Sequence, residues 1–214
     1  MNPFPLILSA PSGAGKTTIA RELLARRPDL GYSVSCTTRA PRRGEVHGKD
    51  YSFVSRQEFL ERRARNEFAE SAEVHGHLYG TLRSEVERAL SSGRHVLMDI
   101  DVQGALQFKA AFPGAVTVFV LPPSADVLLR RLRERRTENS AQLVARLRSA
   151  VDELRAVEEY KYVVVNDDLD RAVGRVSAII DAETARRERT AWLREAVERL
   201  SDELEQEIVV VGSR

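Results

Sequence analysis

Sulfur is almost missing from this chain: its 214 residues include one cysteine, Cys36, so no intrachain disulfide forms and nothing calls for an oxidising compartment. A reducing cytoplasm is the expectation. An excess of one charge is missing too, with 33 basic against 32 acidic residues and a net charge of +1. That balance gives no overall electrostatic reason for a long nucleic acid or a membrane surface as partner, while local clusters can still select a small anion. Long apolar runs are also absent. Phe4 to Ala10 is broken early by Pro5, follows no basic segment and is far shorter than the ~20 residues of a membrane span, so it reads as a buried strand. The four histidines include His75, His77 and His47, but with no second ligand pair at the right spacing they do not suggest a zinc site. Neither a repeat nor a low-complexity linker occurs, and the 12 glycines and 8 prolines are scattered. What is present is an ordinary apolar fraction of 43% in a chain long enough for a full core without staples.

Short apolar runs bounded by Gly, Pro, Asp or Asn recur at Leu6 to Ser9, His95 to Met98, Val116 to Leu121 and Tyr162 to Val165, the pattern of strands buried on both faces. Helical spacing lies between them, with Ile19, Ala20, Leu23 and Leu24 on one face after Lys16, and Val127, Leu128 and Leu132 on another after Pro123. The alternation predicts an α/β fold with a parallel core sheet flanked by helices. From about Tyr32 to Tyr79 the rhythm changes to short alternating segments, Ser33 to Ser35, Tyr51 to Phe53 and Phe68 to Glu70, and predicts a small β-rich, ligand-binding insertion. Beyond Glu183 the chain is strongly charged, with Leu193, Val197, Leu200, Leu204 and Ile208 forming one face of an amphipathic helix.

The strongest chemical signal is Ala10-Pro11-Ser12-Gly13-Ala14-Gly15-Lys16-Thr17, which follows the first strand and opens the first helix. Glycines let successive backbone N–H groups face a phosphate, the helix terminus adds positive potential, Lys16 reaches the outer phosphates and Thr17 is suited to Mg2+. Asp99 and Asp101 end a strand at the sheet edge where ligands bind in open α/β folds, and being two apart they point the same way. Asp99 is a candidate partner for Mg2+ through water, or a cap for the next helix. The loop Thr37 to Glu45 sets arginines on both sides of Pro41, either as forks for a second phosphate or as a solvated basic loop. The run Arg130 to Arg136, with Arg146 on the next helix, suits a hinged lid over a transferred phosphate or a solvated helix face.

With these segments in place, the chain resembles the guanylate kinase family. The matching stretches are Ser9 to Thr17, Ser33 to Ser35, Thr37-Thr38-Arg39, Gly44 to Tyr51, Tyr79-Gly80-Thr81, Asp99 to Gly104, Leu121 to Ser124 and Val165 to Asp168, in family order from about Pro5 to Arg187. The resemblance implies a phosphate-binding-loop kinase in three parts: a core at 1–31 and 83–187, a GMP-binding insertion at 32–82, and a helical lid at about 130–146, with the amphipathic helix at 188–214 outside the core. It further implies transfer of the γ-phosphate of ATP to GMP, and to dGMP, with Mg2+ as cofactor. By position, ATP falls to Ser12, Gly13, Ala14, Gly15, Lys16, Thr17, Thr18, Arg131, Arg135 and Asn166. The GMP phosphate falls to Arg39, Arg42, Tyr51 and Tyr79, and the guanine to Ser35, Glu70, Thr81 and Asp101. The catalytic charges are Lys16, Arg39, Arg135 and Arg146. Leu78 where relatives often have Tyr, Thr81 for a frequent Ser and Arg136 for a frequent Gly remove no required group.

The attacking oxygen of GMP is already largely ionised at neutral pH because the second pKa of such a phosphate is about 6, so no general base is needed and positioning and charge neutralisation remain. Two other readings stay open at this point: a non-catalytic interaction module of the same fold, and a phosphate-loop kinase for another small acceptor. Neither nucleic acid nor membrane is expected as partner. The apolar face of the carboxyl-terminal helix is expected either to pack against the core or to pair with another copy of the chain in a homo-oligomer.

Overall fold

A run of apolar residues with no polar face must be covered on both sides, and Pro5–Ser9 (β1) meets that demand with five consecutive buried positions. The structure, a computed structural model, describes residues 2–42, 44–74, 76–133, 140–190 and 192–212. After β1 come Lys16–Arg26 (α1), Leu30–Tyr32 (β2), Cys36–Thr37 (β3), Ser52–Phe53 (β4), Arg56–Ala64 (α2), Phe68–Val74 (β5), His77–Leu82 (β6) and Arg83–Ser91 (α3). His95–Asp99 (β7), Val102–Ala111 (α4), Val116–Leu121 (β8), Ala125–Arg133 (α5), Ser140–Arg155 (α6), Tyr162–Val165 (β9), Leu169–Thr184 (α7) and Leu193–Gly212 (α8) complete the chain.

The first sheet runs β2-β7-β1-β8-β9, and every pairing in it is parallel. In register, Leu6 lies between Leu97 and Val116, and Leu8 between Asp99 and Val118, so the carboxyl ends of β1 and β7 come out side by side. That edge is where the chain leaves β1 into the glycine-rich loop and β7 into Asp99. The parallel sheet flanked by helices is the architecture the alternation predicts. One strand was not legible as such: β2 is three residues long, and its pairing with β7 through Leu30 and His95 is all that distinguishes it from a loop.

The second sheet runs β4-β3-β6-β5, antiparallel except for β3 with β4. Its own small core holds Cys36, Phe59, Phe68 and Leu78, with the Phe59 and Phe68 rings stacked at 4.4 Å. Ser33 to Ser35 is not a strand here but the crossing between the sheets: Ser33 N–H donates to Leu97 O at 3.2 Å, and Ser35 O accepts from Ser52 N–H at 2.9 Å. The β-rich reading of this segment omits α2, which has one buried residue, Phe59, and starts at a Ser55 whose hydroxyl accepts the Glu58 N–H.

The chain divides after Ser177 into two compact units, Pro3–Ser177 and a smaller one containing the residues from Ala178 on. In the smaller unit Glu183 is fully buried and its carboxylate takes Arg186 at 3.2 Å and Arg189 at 3.1 Å. The expected amphipathic helix is α8, which buries nothing; Val197, Leu200, Leu204 and Ile208 are between 51% and 69% exposed.

Leu97, fully buried in β7, is placed to report on the main core. Leu97→Ala should lower unfolding free energy by about 2–5 kcal/mol in urea denaturation with an unchanged slope, and a loss below about 1 kcal/mol would contradict the packing described.

Candidate active site

The loop between β1 and α1 ends at Gly15 with φ 98° and ψ 14°, a left-handed conformation that a side chain rarely adopts. Glycine is needed there for space as well, since a Cβ would stand 2.3 Å from Asn166 Nδ2. That amide donates to Ala14 O at 2.7 Å, and Arg131 Nη1 donates to the same oxygen at 3.3 Å. The start of α1 has no side-chain cap and no acidic residue in its first turn, so its first N–H groups are left for an anion. On the outer side of the loop a cavity of about 470 Å³ is lined by Gly13, Gly15, Thr18, Arg131 and Asn166 among others. Lys16 Nζ rests on Ile100 O at 2.9 Å, beside the Ser9 hydroxyl that donates to the same carbonyl. Ser12 N–H is taken by Glu153 of α6 at 3.2 Å.

Asp99 faces the other end of the loop. Thr17 Oγ1 donates to its Oδ2 at 3.0 Å and the Tyr32 hydroxyl to its Oδ1 at 2.8 Å. Burial, then the charge and hydrogen bond of Asp99, raise the Tyr32 hydroxyl well above the ordinary phenol range, so it stays a donor. A hydroxyl and a carboxylate are hard oxygen donors of the kind Mg2+ prefers. Among the described residues no group of three or more His, Cys, Asp or Glu could hold a metal, so the pair fits an ion that brings its remaining ligands as phosphate and water. Asp101 has a different task from Asp99: it caps α4, its Oδ1 accepting Gly104 N–H at 2.7 Å. The capping role weighed for Asp99 therefore falls one residue beyond its neighbour, although Asp101 still borders the cavity described next.

Across the cleft, a cavity of about 320 Å³ is bounded at one end by Glu70 and at the other by Arg39 and Arg42, with Lys16, Ser35, Tyr51, Tyr79 and Asp101 between. Glu70 is 5% exposed, accepts the Thr81 hydroxyl at 2.7 Å, and is backed by Ser35, whose hydroxyl meets Thr81 Oγ1 at 3.1 Å. Burial outweighs these bonds and holds its pKa up at about 7. Gly104 is the residue that permits the close approach, since a Cβ there would lie 2.7 Å from Glu70 Oε2. At the far end Arg39 grips Glu45 with both Nη atoms, at 3.0 and 2.9 Å, and Arg42 N–H donates to the same carboxylate at 2.7 Å. The Arg39 guanidinium lies 5.4 Å from the Tyr51 ring centroid, and Tyr51 meets Tyr79 edge-on at 6.0 Å. Glu45 stood in the sequence motif without a role; it is the anion that the arginine fork holds.

A third, larger cavity of about 910 Å³ shares Arg39, Arg42, Tyr51 and Asp99 with the Glu70 cavity and adds Thr17, Thr18 and Arg146. The structure thus brings together the loop, Asp99, the insertion residues, Arg131 and Arg146. Arg135 lies outside the described residues, as do Arg43, His75 and Arg136. Tyr32, Glu45 and Glu153 are the polar neighbours that sequence reasoning did not single out.

Two anion sites that open on each other suit transfer of a phosphoryl group between two phosphorylated small molecules, the work of phosphate-loop kinases. Comparison narrows the class. The family model described as guanylate kinase matches residues 2–183. A guanylate kinase of Paramagnetospirillum magneticum is 50% identical over 196 residues, 91% of this chain and 92% of its own length. One from Caldanaerobacter subterraneus subsp. tengcongensis is 46% identical over 184 residues, 86% of this chain and 89% of its own. The crystal structure of guanylate kinase from Anaplasma phagocytophilum superposes with a TM-score of 0.76 at 38% identity, covering 92% of this chain and 94% of that one. The chain belongs to the guanylate kinase family.

Glu70 gives the site a pH signature. An acid whose folded pKa is raised costs no stability while protonated in both states and costs more as pH climbs from its unfolded value through about 7. Glu70→Gln should therefore melt like the parent at pH 4 and above it at pH 8, by an amount worth a few kcal/mol. A difference in melting temperature that does not grow with pH would show that the carboxyl is not held in its neutral form.

Proposed function

We infer that the protein transfers the γ-phosphate of ATP to GMP, and to dGMP, yielding ADP and GDP and thereby recycling GMP into the guanine nucleotide supply. The observation that carries the reading is the continuous cleft with a phosphate-binding loop on one wall and the Glu70 to Arg39 cavity on the other. ATP is assigned to Ser12 through Thr18 with Arg131, Arg135 and Asn166, and GMP to Ser35, Arg39, Arg42, Tyr51, Glu70, Tyr79, Thr81 and Asp101. Guanine presents two adjacent donors, N1–H and N2–H, to the two oxygens of an ionised Glu70, whereas adenine sets a lone pair against them. The phosphate of GMP replaces Glu45 on the Arg39 fork, one anion that offers two oxygens for another.

Thr17, and Asp99 through water, would hold Mg2+, which neutralises charge on the β- and γ-phosphates. Lys16 exchanges the Ile100 carbonyl for the outer phosphates, and Arg146, with Arg135 and Arg131, closes over them. An ionised acceptor phosphate needs no base; in-line placement and exclusion of water remain, since water is the competing acceptor. A non-catalytic interaction module has no use for the loop and the acceptor cavity together, and a kinase for another acceptor has no use for Glu70 beside Thr81.

Free nucleotides as substrates and a lone thiol fit a cytoplasmic location; among the described residues no helix is long and apolar enough to cross a membrane. Coupled ADP formation from ATP with GMP, dGMP, AMP, CMP and UMP tests the assignment. GMP should exceed AMP in kcat/KM by about a thousandfold or more. Lys16→Met should abolish transfer with an unchanged melting curve. Equal rates with AMP, or near-parental turnover in Lys16→Met, would overturn it.

The family match ends at residue 183, and α8, which lies beyond it, exposes Val197, Leu200, Leu204 and Ile208 along one stripe. We assign this stripe to pairing of two copies of the chain, since an exposed apolar helix face of this length is costly in water. Removing the residues after Arg189 should reduce the mass seen by light scattering to that of a monomer while sparing most of the activity, and an unchanged mass would refute the pairing.

A further inference from the structure

Glu153 is an acid placed where an acid is least welcome. It sits on α6, its Oε2 accepts Ser12 N–H of the phosphate-binding loop at 3.2 Å, and its Oε1 accepts the Ser149 hydroxyl one turn back at 3.2 Å. Next to a site for polyphosphate a second anion repels the ligand, so its presence calls for a compensating use. The loop supplies one. Ser12 lies in the loop beyond the end of β1 at Ser9, its N–H has no strand partner, and a part-buried backbone donor without an acceptor is destabilising. Glu153 closes that gap from an element 141 residues away in sequence.

The same helix carries Arg146, seven residues earlier. Seven residues are close to two turns, so both side chains leave the same face about 10 Å apart along the axis. Arg146 lines the larger cavity with Thr17, Thr18 and Asp99, while Glu153 is fastened to the loop that runs into Thr17.

We propose that Glu153 is a positioning residue: its contact with Ser12 N–H sets the register of α6 against the phosphate-binding loop, and so places Arg146 over the phosphoryl group in transfer. The proposal rests on the assignment of Arg146 to that group. A helix is stiff over two turns, so a single fixed point at Glu153 limits how far Arg146 drifts, and a misplacement of about 1 Å in such a group costs up to a hundredfold in rate. The repulsion is eased by the setting. Burial raises the pKa of Glu153, with Asp101 adding to that and Lys16 and the bonds from Ser12 and Ser149 opposing it. The contact needs only an acceptor oxygen, which a neutral acyl group supplies as well as a carboxylate does.

An acceptor is therefore required at this position and a charge is not. Glu153→Gln keeps an acceptor for Ser12 N–H, and its NH2 can donate to the Ser149 hydroxyl; it should hold kcat within about threefold of the parent. Glu153→Ala removes the acceptor, and Glu153→Asp withdraws it by one methylene. Both should lower kcat by about ten- to a hundredfold and raise KM for ATP, with the GMP dissociation constant in the absence of ATP unchanged. In an Arg146→Ala background, the further loss from Glu153→Ala should shrink to less than about threefold, because there is no longer an arginine to place. Parental kcat in Glu153→Ala, a Gln variant as slow as the Ala variant, or losses that multiply in the double variant would each overturn the proposal. Should Glu153→Ala fail to fold, Glu153→Asp carries the same test. Arg146→Ala alone at the parental rate would instead overturn the assignment of Arg146, so the two failures are told apart.

Discussion

The hydrogen bond from Asn166 to the carbonyl of Ala14, at 2.7 Å, is the contact around which the larger unit is organised. It comes from the residue just after β9 and ends on the residue just before a left-handed Gly15. With that carbonyl turned outward to Asn166 and Arg131, the N–H groups that follow it are free to face the opposite way, toward an anion at the start of α1. The parallel sheet is the frame this requires. Only parallel strands bring β1, β7, β8 and β9 out at the same edge, and so set Gly15, Asp99 and Asn166 around one cleft. The strands on either side of β1, β7 and β8, are themselves buried and stabilise the sheet, and the loop is held by side chains from other elements, because its own glycines bring no packing.

Charge in the cleft is balanced without ligand by internal exchange. Arg39 is held by Glu45, and the bond to that carboxylate keeps the guanidinium pKa above its ordinary range and the Glu45 pKa below its own. Lys16 has a carbonyl, Thr17 and Tyr32 share Asp99, and Ser12 has Glu153. On the proposed assignment, binding two polyanions would be largely a swap of acceptors on fixed donors. Such a swap avoids both the cost of collecting like charges in an empty cleft and most of the reorganisation that would otherwise fall on the transition state.

The sequence discloses those features that rest on strong local patterns. Strands β1, β7 and β8 were legible because a strand covered on both faces is apolar throughout, and β9 because Tyr162 to Val165 is equally apolar, although it is the sheet edge and leaves Val163 47% exposed; the loop was legible because Gly15-Lys16-Thr17 between strand and helix has few other uses. What escaped did so for physical reasons. The three residues of β2 carry no pattern of their own and exist through β7. The helix α2 buries only Phe59 in a charged segment, so its amphipathic signal is faint, yet the Ser55 and Glu58 spacing of a capping box marked its start. Asp99 and Asp101 looked alike on a strand period of two, but the strand stops between them and Asp101 turns to cap α4. Glu45 and Glu153 were invisible as site residues, because their roles are set by contacts made through tertiary structure, and an acid near phosphate is not a residue that charge logic seeks.

Glu70 shows why the acceptor side is built from a buried acid when a neutral amide would be simpler to bury. With its pKa held up at about 7, the neutral acid and the carboxylate are both populated near neutral pH. A ligand that brings two adjacent donors repays the desolvation and tips it to the ion; a ligand that brings an acceptor meets either repulsion or a proton it must compete for. The hydroxyl of Thr81, itself bonded to Ser35, lowers that threshold without removing it, as it donates to one carboxylate oxygen while the other lies toward Gly104. With guanine assigned to Glu70 as proposed above, selectivity would come from the same desolvation that makes Glu70 unfavourable in the ligand-free fold, and a site without that penalty would bind either purine with little distinction.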